Sequence, residues 1–436
     1  MNKQFFRRKS RLFFLFSSVL ALLTSFFALV SLPKHQVLRL GIYSNSSWDV
    51  TSAQDNEAIT RAIERFEQKY PNITVSYETG ILKSDYSNWL SDKIINGNQP
   101  DVFMVPENDF NLLASTSSLR YLNDFLKKDV DQSNFYSAAF SKGSYQGVQY
   151  ALPFESNPLM MCVNKDLLEK EGVTLPIGKW TVQDLYQISK QLTKDTDGDG
   201  VLDQFGLAGY TWQNIFTAFG IDVFNGSGTK AFVDTEAARE ALSMLVKINE
   251  LNGHYKVTSQ DFDQGKVAFY PMTLAQYRTY NPYPYHVSKY SQFSWTCIAM
   301  PTDIGHKEAT PMTTSLFAIS SKTQLPDMAW TFLKLLCTDE TIQQTMFETS
   351  QGSSVLKSVM RSPETQKNLT LDAFGEDALS QNTLDEISEN AYEEPNFKKY
   401  NKAIEQLDYL LRKSIESGSV DNDLPTIQRK IDDILN

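Results

Sequence analysis

Between Tyr145 and Trp180 the chain reads Y-Q-G-V-Q-Y-A-L-P-F-E-S-N-P-L-M-M-C-V-N-K-D-L-L-E-K-E-G-V-T-L-P-I-G-K-W, with Glu155 and Asn157 inside its apolar run. A strand covered on both faces of a sheet is expected to be nearly continuous Val, Ile and Leu. A carboxylate and an amide in such a strand need polar partners, because burying either one bare is costly. This pair of residues restricts the fold more than any other feature of the sequence.

At 436 residues the chain is long enough for two lobes, each with its own core. Val37 to Tyr43 reads as a strand, Glu57 to Lys69 as an amphipathic helix with Ile59, Ile63 and Phe66 on one face, and Ile73 to Tyr77 as a second strand. Asp85 to Ile95 then looks helical, and Asp101 to Val105 is a third strand. This β-α-β-α-β order predicts parallel strands with helices on both faces. In such sheets ligands bind beyond the carboxyl ends of the strands. The loops leaving those ends carry Asn45, Trp48 and Asp49 in one, and Glu107, Asn108 and Asp109 in the other. These side chains suit a hydroxylated ligand, although Asn and Asp are also ordinary helix caps.

Further on, Trp180 to Thr193 reads as a helix with Thr181 and Asp184 placed for a capping box. Gly206 to Gly209 begins a strand, Trp212 to Phe219 is a helix, and Thr235 to Leu251 is a long amphipathic helix. The region from about Leu371 to Leu435 is helical with charge on most faces and no heptad.

The N-terminus is a separate element. Lys3, Arg7, Arg8, Lys9 and Arg11 precede an uncharged run of 21 residues from Leu12 to Leu32, about the span of a bilayer's hydrocarbon core. Ala28-Leu29-Val30-Ser31 is a poor cleavage site, so residues 1–36 are expected to be a signal-anchor or a signal peptide. Setting those five basic residues aside leaves 36 basic against 52 acidic residues, a net −16 for the exported body. So acidic a body argues against nucleic acid as a partner. Cys162, Cys297 and Cys337 lie in apolar contexts, where buried free thiols are expected.

Several of these segments resemble the bacterial extracellular solute-binding proteins of the sugar-binding, maltose-binding-protein-like type. The N-K-D-L signature recurs as Asn164 to Leu167, and the W-x-x-x-F region starts at Trp212. The glycine-bounded turn falls at Gly226 to Gly228, before a helix that begins near F-V-D-T-E-A-A-R-E-A-L. Gly265 to Tyr270 resembles the family's strand leading to a ligand-stacking aromatic, but Ala275 falls where a Trp is common. The resemblance runs from about Val37 to about Val355.

It implies an α/β, two-lobe periplasmic-binding-protein-like fold with hinge crossovers. Lobe 1 would be 37–148 and 297–347, and lobe 2 would be 149–296 and 348–436. Ser294 to Pro301 would be the second crossing, Ser315 to Ser320 a returning strand, and Asp339 to Ser353 the third crossing. Glu155 and Asn157 would then face a cleft that water enters. The implied role is the substrate-binding component of an ABC importer, a monomer that takes a carbohydrate or other polar solute to a membrane permease. It would act at the outer face of the membrane, in a Gram-positive bacterium, although no cysteine follows the apolar run to carry a lipid. The expected ligand contacts are Trp48, Glu107, Asn108, Glu155, Asn157, Trp212, Tyr270 and Tyr277. Rings would stack on the apolar faces of sugars, and carboxylates and amides would take their hydroxyls.

The sharpest local motif is D-T-D-G-D-G-V-L-D from Asp195 to Asp203. Asp195, Asp197, Asp199 and Asp203 occupy positions 1, 3, 5 and 9 of a calcium loop, and the Val201 carbonyl occupies position 7. Position 12 is Gly206 instead of a bidentate Glu. A structural calcium is expected, against the alternative of a solvated acidic turn. Catalytic patterns are weak: His35, His254, His286 and His306 are dispersed, and no G-x-S-x-G elbow or phosphate-binding glycine loop occurs. No enzyme is expected, with a carbohydrate-active enzyme and an anchored ligand sensor as rival classes.

Overall fold

The computed structural model describes residues 35–50, 56–106, 108–176, 178–253, 255–280, 293–303, 310–372 and 379–436. Residues 1–34 of the expected signal segment (1–36) and Glu107 lie outside the described residues. Among the described residues no helix is long and apolar enough to cross a membrane.

The opening alternation forms as expected. β1 (Gln36–Gly41), α1 (Glu57–Lys69), β2 (Ile73–Tyr77), α2 (Lys83–Ile95) and β3 (Val102–Val105) follow in order. β1 pairs in parallel with both β2 and β3. Ile59, Ala62 and Phe66 of α1 are buried on one face, the 3.6-residue stripe that its sequence carries.

β4 (Ala151–Asn164) has 14 residues and spans about 46 Å at the usual strand rise. Its first half, Ala151 to Pro158, pairs antiparallel with β8 (Met312–Ile319), which in turn pairs with β3. Its second half, Leu159 to Val163, pairs antiparallel with β6 (Val267–Thr273), and β5 (Phe205–Leu207) lies parallel on the far side of β6. One strand is therefore shared by two lobes, and the change of partner falls between Pro158 and Leu159. The resulting mixed sheet runs β2-β1-β3-β8-β4-β6-β5 among the described residues.

Strand alternation sets the cores. Lobe 1 packs Leu38, Leu40, Phe66, Phe103, Phe317 and Phe332 around its sheet. In lobe 2, Met161 and Val163 point into a core closed by α3 (Val182–Leu192), α4 (Trp212–Ala218), α5 (Glu236–Glu250) and two C-terminal helices. The neighbouring Met160 and Cys162 point the other way, into a separate core with Phe262, Tyr277 and Phe347. Phe135, Tyr136, Ala138 and Ala139, expected in lobe 1, pack into that second core of lobe 2.

Two expectations are corrected. β7 (Trp295–Ile298), expected to begin the return to lobe 1, stays in lobe 2, paired with Met161 to Asn164 of β4. The return is made by β8 from Met312 onward, which pairs along the Ala151 to Pro158 half of β4. The same pairing sets Cys162 directly opposite Cys297, and the two are bonded as a disulfide instead of remaining free thiols. Cys337 is a buried free thiol, and burial pushes its pKa well up.

Candidate functional site

The carboxyl ends of β1 and β3 open into a cavity of about 310 Å³. Tyr43, Ser47, Trp48 and Asp49 from the first loop line it, with Pro106, Asn108 and Asp109 from the second, Lys83, Tyr86 and Ser87 from α2, and Thr314 and Ser315 from β8. Asn45 and Asp49 have positive φ (74° and 55°), which Asn and Asp tolerate better than other non-glycine residues, and this curls the first loop. Lys83 fixes the loop: its Nζ donates to Ser47 O at 2.7 Å and Asp49 Oδ2 at 2.8 Å. In the second loop Asp109 accepts from Ser87. Across the opening, Asn401 of α9 (the C-terminal helix Tyr400–Ser417) donates to the Asn108 carbonyl, so the two lobes touch at the rim.

Glu155 lies behind this cavity, 4% exposed, and lines a smaller adjoining space shared with Ser47 and Ser350. Its Oε1 accepts from the Gly352 backbone N–H at 2.9 Å. Burial pushes its carboxyl above the ordinary range. The Ser350, Trp48 and Ser47 side chains and the Gly352 N–H oppose that shift without cancelling it. A register irregularity between Ser315 and Leu316 leaves Phe154 unpaired on β4, next to Glu155. The buried Gln343 amide takes up the freed Phe154 carbonyl at 2.9 Å, and so satisfies the bulge internally.

The expected ligand residues do not converge. Trp48 and Asn108 line the large cavity, and Glu155 adjoins it. Asn157 is 6% exposed and uses its Oδ1 to accept from Ala275 N at 2.9 Å, at the start of α6 (Leu274–Tyr280). Its task is to hold a helix start, where orphan N–H groups need acceptors. Tyr277 is 2% exposed in the second core of lobe 2, with its hydroxyl accepting from Leu379 N at 3.1 Å. Tyr270 stacks on Phe262 at 5.5 Å in the same core. Trp212 is 2% exposed in the other lobe 2 core, and its indole donates to Asp408 Oδ1 at 2.9 Å. The sequence carries further tyrosines between Tyr277 and Trp295, of which Tyr283, Tyr285 and Tyr290 lie outside the described residues.

Residues 61–373 match the family described as bacterial extracellular solute-binding protein. The chain belongs to that family. Solved structures agree on the fold of this solute-binding protein. It is similar to the sugar-binding protein MalE of Xanthomonas citri (TM-score 0.74, 14% identity, covering 92% of this chain and 97% of that one). A cyclic alpha-maltosyl-1,6-maltose binding protein of Arthrobacter globiformis gives a TM-score of 0.73 at 17% identity, covering 92% and 99%. An ABC substrate-binding protein of Listeria monocytogenes, in complex with cycloalternan, gives 0.68 at 19% identity, covering 92% and 99%. The fold is the α/β two-lobe architecture of periplasmic binding proteins, and the family consists of binders that work outside the cytoplasm.

In the acidic loop of the solute-binding protein, ligand oxygens of Asp195, Asp197 and Asp203 lie within 4.8 Å of one another. Gly198 N and Gly200 N both donate to Asp195 at 2.7 Å, and both glycines have positive φ. These backbone donors lower the Asp195 pKa, and the Thr196 hydroxyl and N–H do the same for Asp203. Asp199 instead accepts from Val201 N at 2.8 Å.

Thr314 and Ser315 were not anticipated as site residues. The signal was present: Met312-Thr313-Thr314-Ser315 places three hydroxyls together on a strand that then turns fully apolar. That is the same polar break that marks Glu155 on β4.

Proposed function

We propose that this solute-binding protein captures a sugar or oligosaccharide outside the cell, closes its lobes over it, and delivers it to the permease of an ABC importer. The observation that carries this reading is the cavity at the carboxyl ends of β1 and β3, with Trp48 beside Asn108, Asp109 and the hydroxyls of β8. A flat ring next to hydrogen-bonding groups is what a sugar's apolar faces and polar edges require. The named relatives are a sugar-binding protein, a cyclic alpha-maltosyl-1,6-maltose binding protein and a substrate-binding protein in complex with cycloalternan, which supports the sugar class. The hinge lies where β4 and β8 cross between lobes, and the Asn401–Asn108 hydrogen bond joins α9 to the rim of the first lobe.

Within this reading Trp48 and Asn108 contact ligand, Glu107 joins them from the same loop as Asn108, and Glu155 stands behind them as a buried support. Lobe 1 consists of residues 37–148 without the Phe135 to Ala139 stretch, together with the Ala151 to Pro158 half of β4 and the part of 297–347 from β8 onward, and lobe 2 takes up the rest of the body. The loop from Asp195 to Asp203 holds a structural calcium, the chain is a monomer, and its N-terminal segment tethers it to the outer membrane face of a Gram-positive cell. No catalytic cofactor is required.

The test is a thermal-shift screen with mono- and oligosaccharides at saturating concentration. A ligand that binds only the folded state raises the midpoint, by about 2.7 kcal/mol of stability at a hundredfold excess over Kd. No shift with any glycan, alongside a shift with a peptide or other polar solute, would remove the sugar assignment and leave the fold untouched.

A further inference from the structure

We infer that the cleft selects small neutral sugars over acidic ones, and that Ser315 and Thr314 on the crossing strand β8 read the sugar's hydroxyls. This deepens the sugar reading above and rests on it.

Buried polar groups in folded proteins are nearly always hydrogen-bonded, so those without a partner invite a functional account. Two such groups line the same cavity: Thr314 Oγ1 and Ser315 Oγ are buried and make no hydrogen bond to the described residues, whereas the Trp48 indole beside them is turned toward Glu155. Ser315 is itself only 9% exposed, and it sits in register with Glu155 on the neighbouring strand. The bulge beside Ser315 interrupts the regular ladder at this point. Each of the two hydroxyls both donates and accepts. Together they match a sugar hydroxyl, which does the same.

Charge excludes the acidic alternative. Lys83 is the single cation among the described residues lining the cavity, and it is already committed to Asp49 and to the Ser47 carbonyl. Asp49 and Asp109 line the same space, and Glu155 lies directly behind it. A carboxylate ligand would lose its hydration and meet carboxylates without a free cation, which is strongly unfavourable. A neutral ring has no such cost. The volume of about 310 Å³ is at the low end of ordinary ligand pockets, about 300–1,000 Å³, and suits one or two sugar rings.

The experiment is isothermal titration of the full exported body with glucose, galactose, maltose, cellobiose, lactose, glucuronate and digalacturonate. Wild type is compared with Ser315→Ala, Thr314→Val and the hydroxyl-retaining Thr314→Ser. The expected result is binding of at least one neutral sugar and of neither acidic one. Ser315→Ala and Thr314→Val should each weaken that binding roughly 5- to 100-fold, the cost of leaving a buried hydroxyl unpaired. Thr314→Ser should restore most of the affinity, and the unliganded melting temperatures should match wild type. Tight neutral-sugar binding that neither substitution weakens overturns this proposal and leaves the sugar reading standing. Preference for glucuronate or digalacturonate overturns the selectivity. Failure of every sugar to bind overturns the sugar reading, and this proposal with it.

Discussion

Gly352 donates its backbone N–H to Glu155 Oε1 at 2.9 Å, and a Cβ on residue 352 would stand 2.3 Å from the same oxygen. The Gly352 carbonyl in turn accepts from the buried Arg278 at 3.0 Å. One residue thus ties the first crossing strand to α6 through the third crossing, and a side chain there would collide with Glu155. Gly352→Ala must push the Glu155 side chain or the β9 backbone (Ser353–Ser354) aside. The expected cost is about 1–3 kcal/mol, typical of overpacking in a filled interior. Urea denaturation of the variant checks this, and a midpoint equal to wild type would show that the site gives way freely.

Glu155 also sets a pH dependence. Its folded pKa lies above the ordinary 4.5, chiefly through burial. The native state therefore binds the proton more tightly than the unfolded chain does. The stabilising contribution of the protonated form is complete below about pH 4.5 and fades as pH rises through the folded pKa. Glu155→Gln keeps the shape and an acceptor for Gly352, but has no charge to bury. The variant should gain stability relative to wild type as pH is raised from 4.5 through the folded pKa of Glu155, and keep that gain above it. Urea midpoints of both proteins across that range test it, and a difference that stays flat with pH would refute the assignment.

Asn157 makes a different prediction from its neighbour. Its Oδ1 accepts from the buried Ala275 N–H, so Asn157→Ala leaves a helix-start donor unpaired. The expected loss is about 1–3 kcal/mol, with little change in affinity for a ligand bound at the Trp48 loop. Denaturation and titration on the same variant separate the two effects. A large affinity loss with unchanged stability would put Asn157 in the ligand's contact shell instead.

The polar break in β4 was legible because buried strands tolerate so few polar residues, and it led correctly to a strand shared by two lobes. What Glu155 and Asn157 each bond was not legible. Gly352 and Ala275 are 197 and 118 residues away in sequence, and only the fold brings their N–H groups within reach. The same distance hid the partial burial of Tyr270 and the full burial of Tyr277: an aromatic near a predicted cleft cannot be told from a core aromatic until the packing of Phe262 and Leu379 around it is known. Local features fared better. The Thr181–Asp184 capping box forms as its spacing predicts, because its partners are three residues apart. Cys162 and Cys297 were misjudged because their pairing depends on the register of β7 against β4.

That pairing leads to a prediction about reduction. The bond closes a loop across a sequence separation of 135 and ties β7 to the shared strand inside lobe 2. Removing a native cross-link of this kind typically costs about 2–5 kcal/mol. Cys297→Ser should lower the melting temperature, and reduction of unfolded wild type should raise its titratable thiols from one to three. Three thiols without reductant would show the cysteines unpaired.

The acidic loop gives the last prediction. Asp195 and Asp203 are held ionised below their ordinary 3.8 by backbone and hydroxyl donors, and together with Asp197 they converge at the turn made by Gly198 and Gly200. Each donor satisfies a carboxylate only partly, so negative charge remains concentrated at one point unless a cation neutralises it. Calcium should therefore raise the melting temperature of the wild type, and a chelator should reverse the rise. Asp195→Ala should abolish the calcium-dependent shift, while Asp199→Ala, whose carboxylate stands outside the converging three, should keep part of it. The acidic loop does not line the Trp48 cavity, so affinity for a sugar should change little when calcium is removed at a temperature where the lobe stays folded. A melting temperature indifferent to calcium would identify the loop as a self-satisfied acidic turn, its carboxylates balanced by its own backbone.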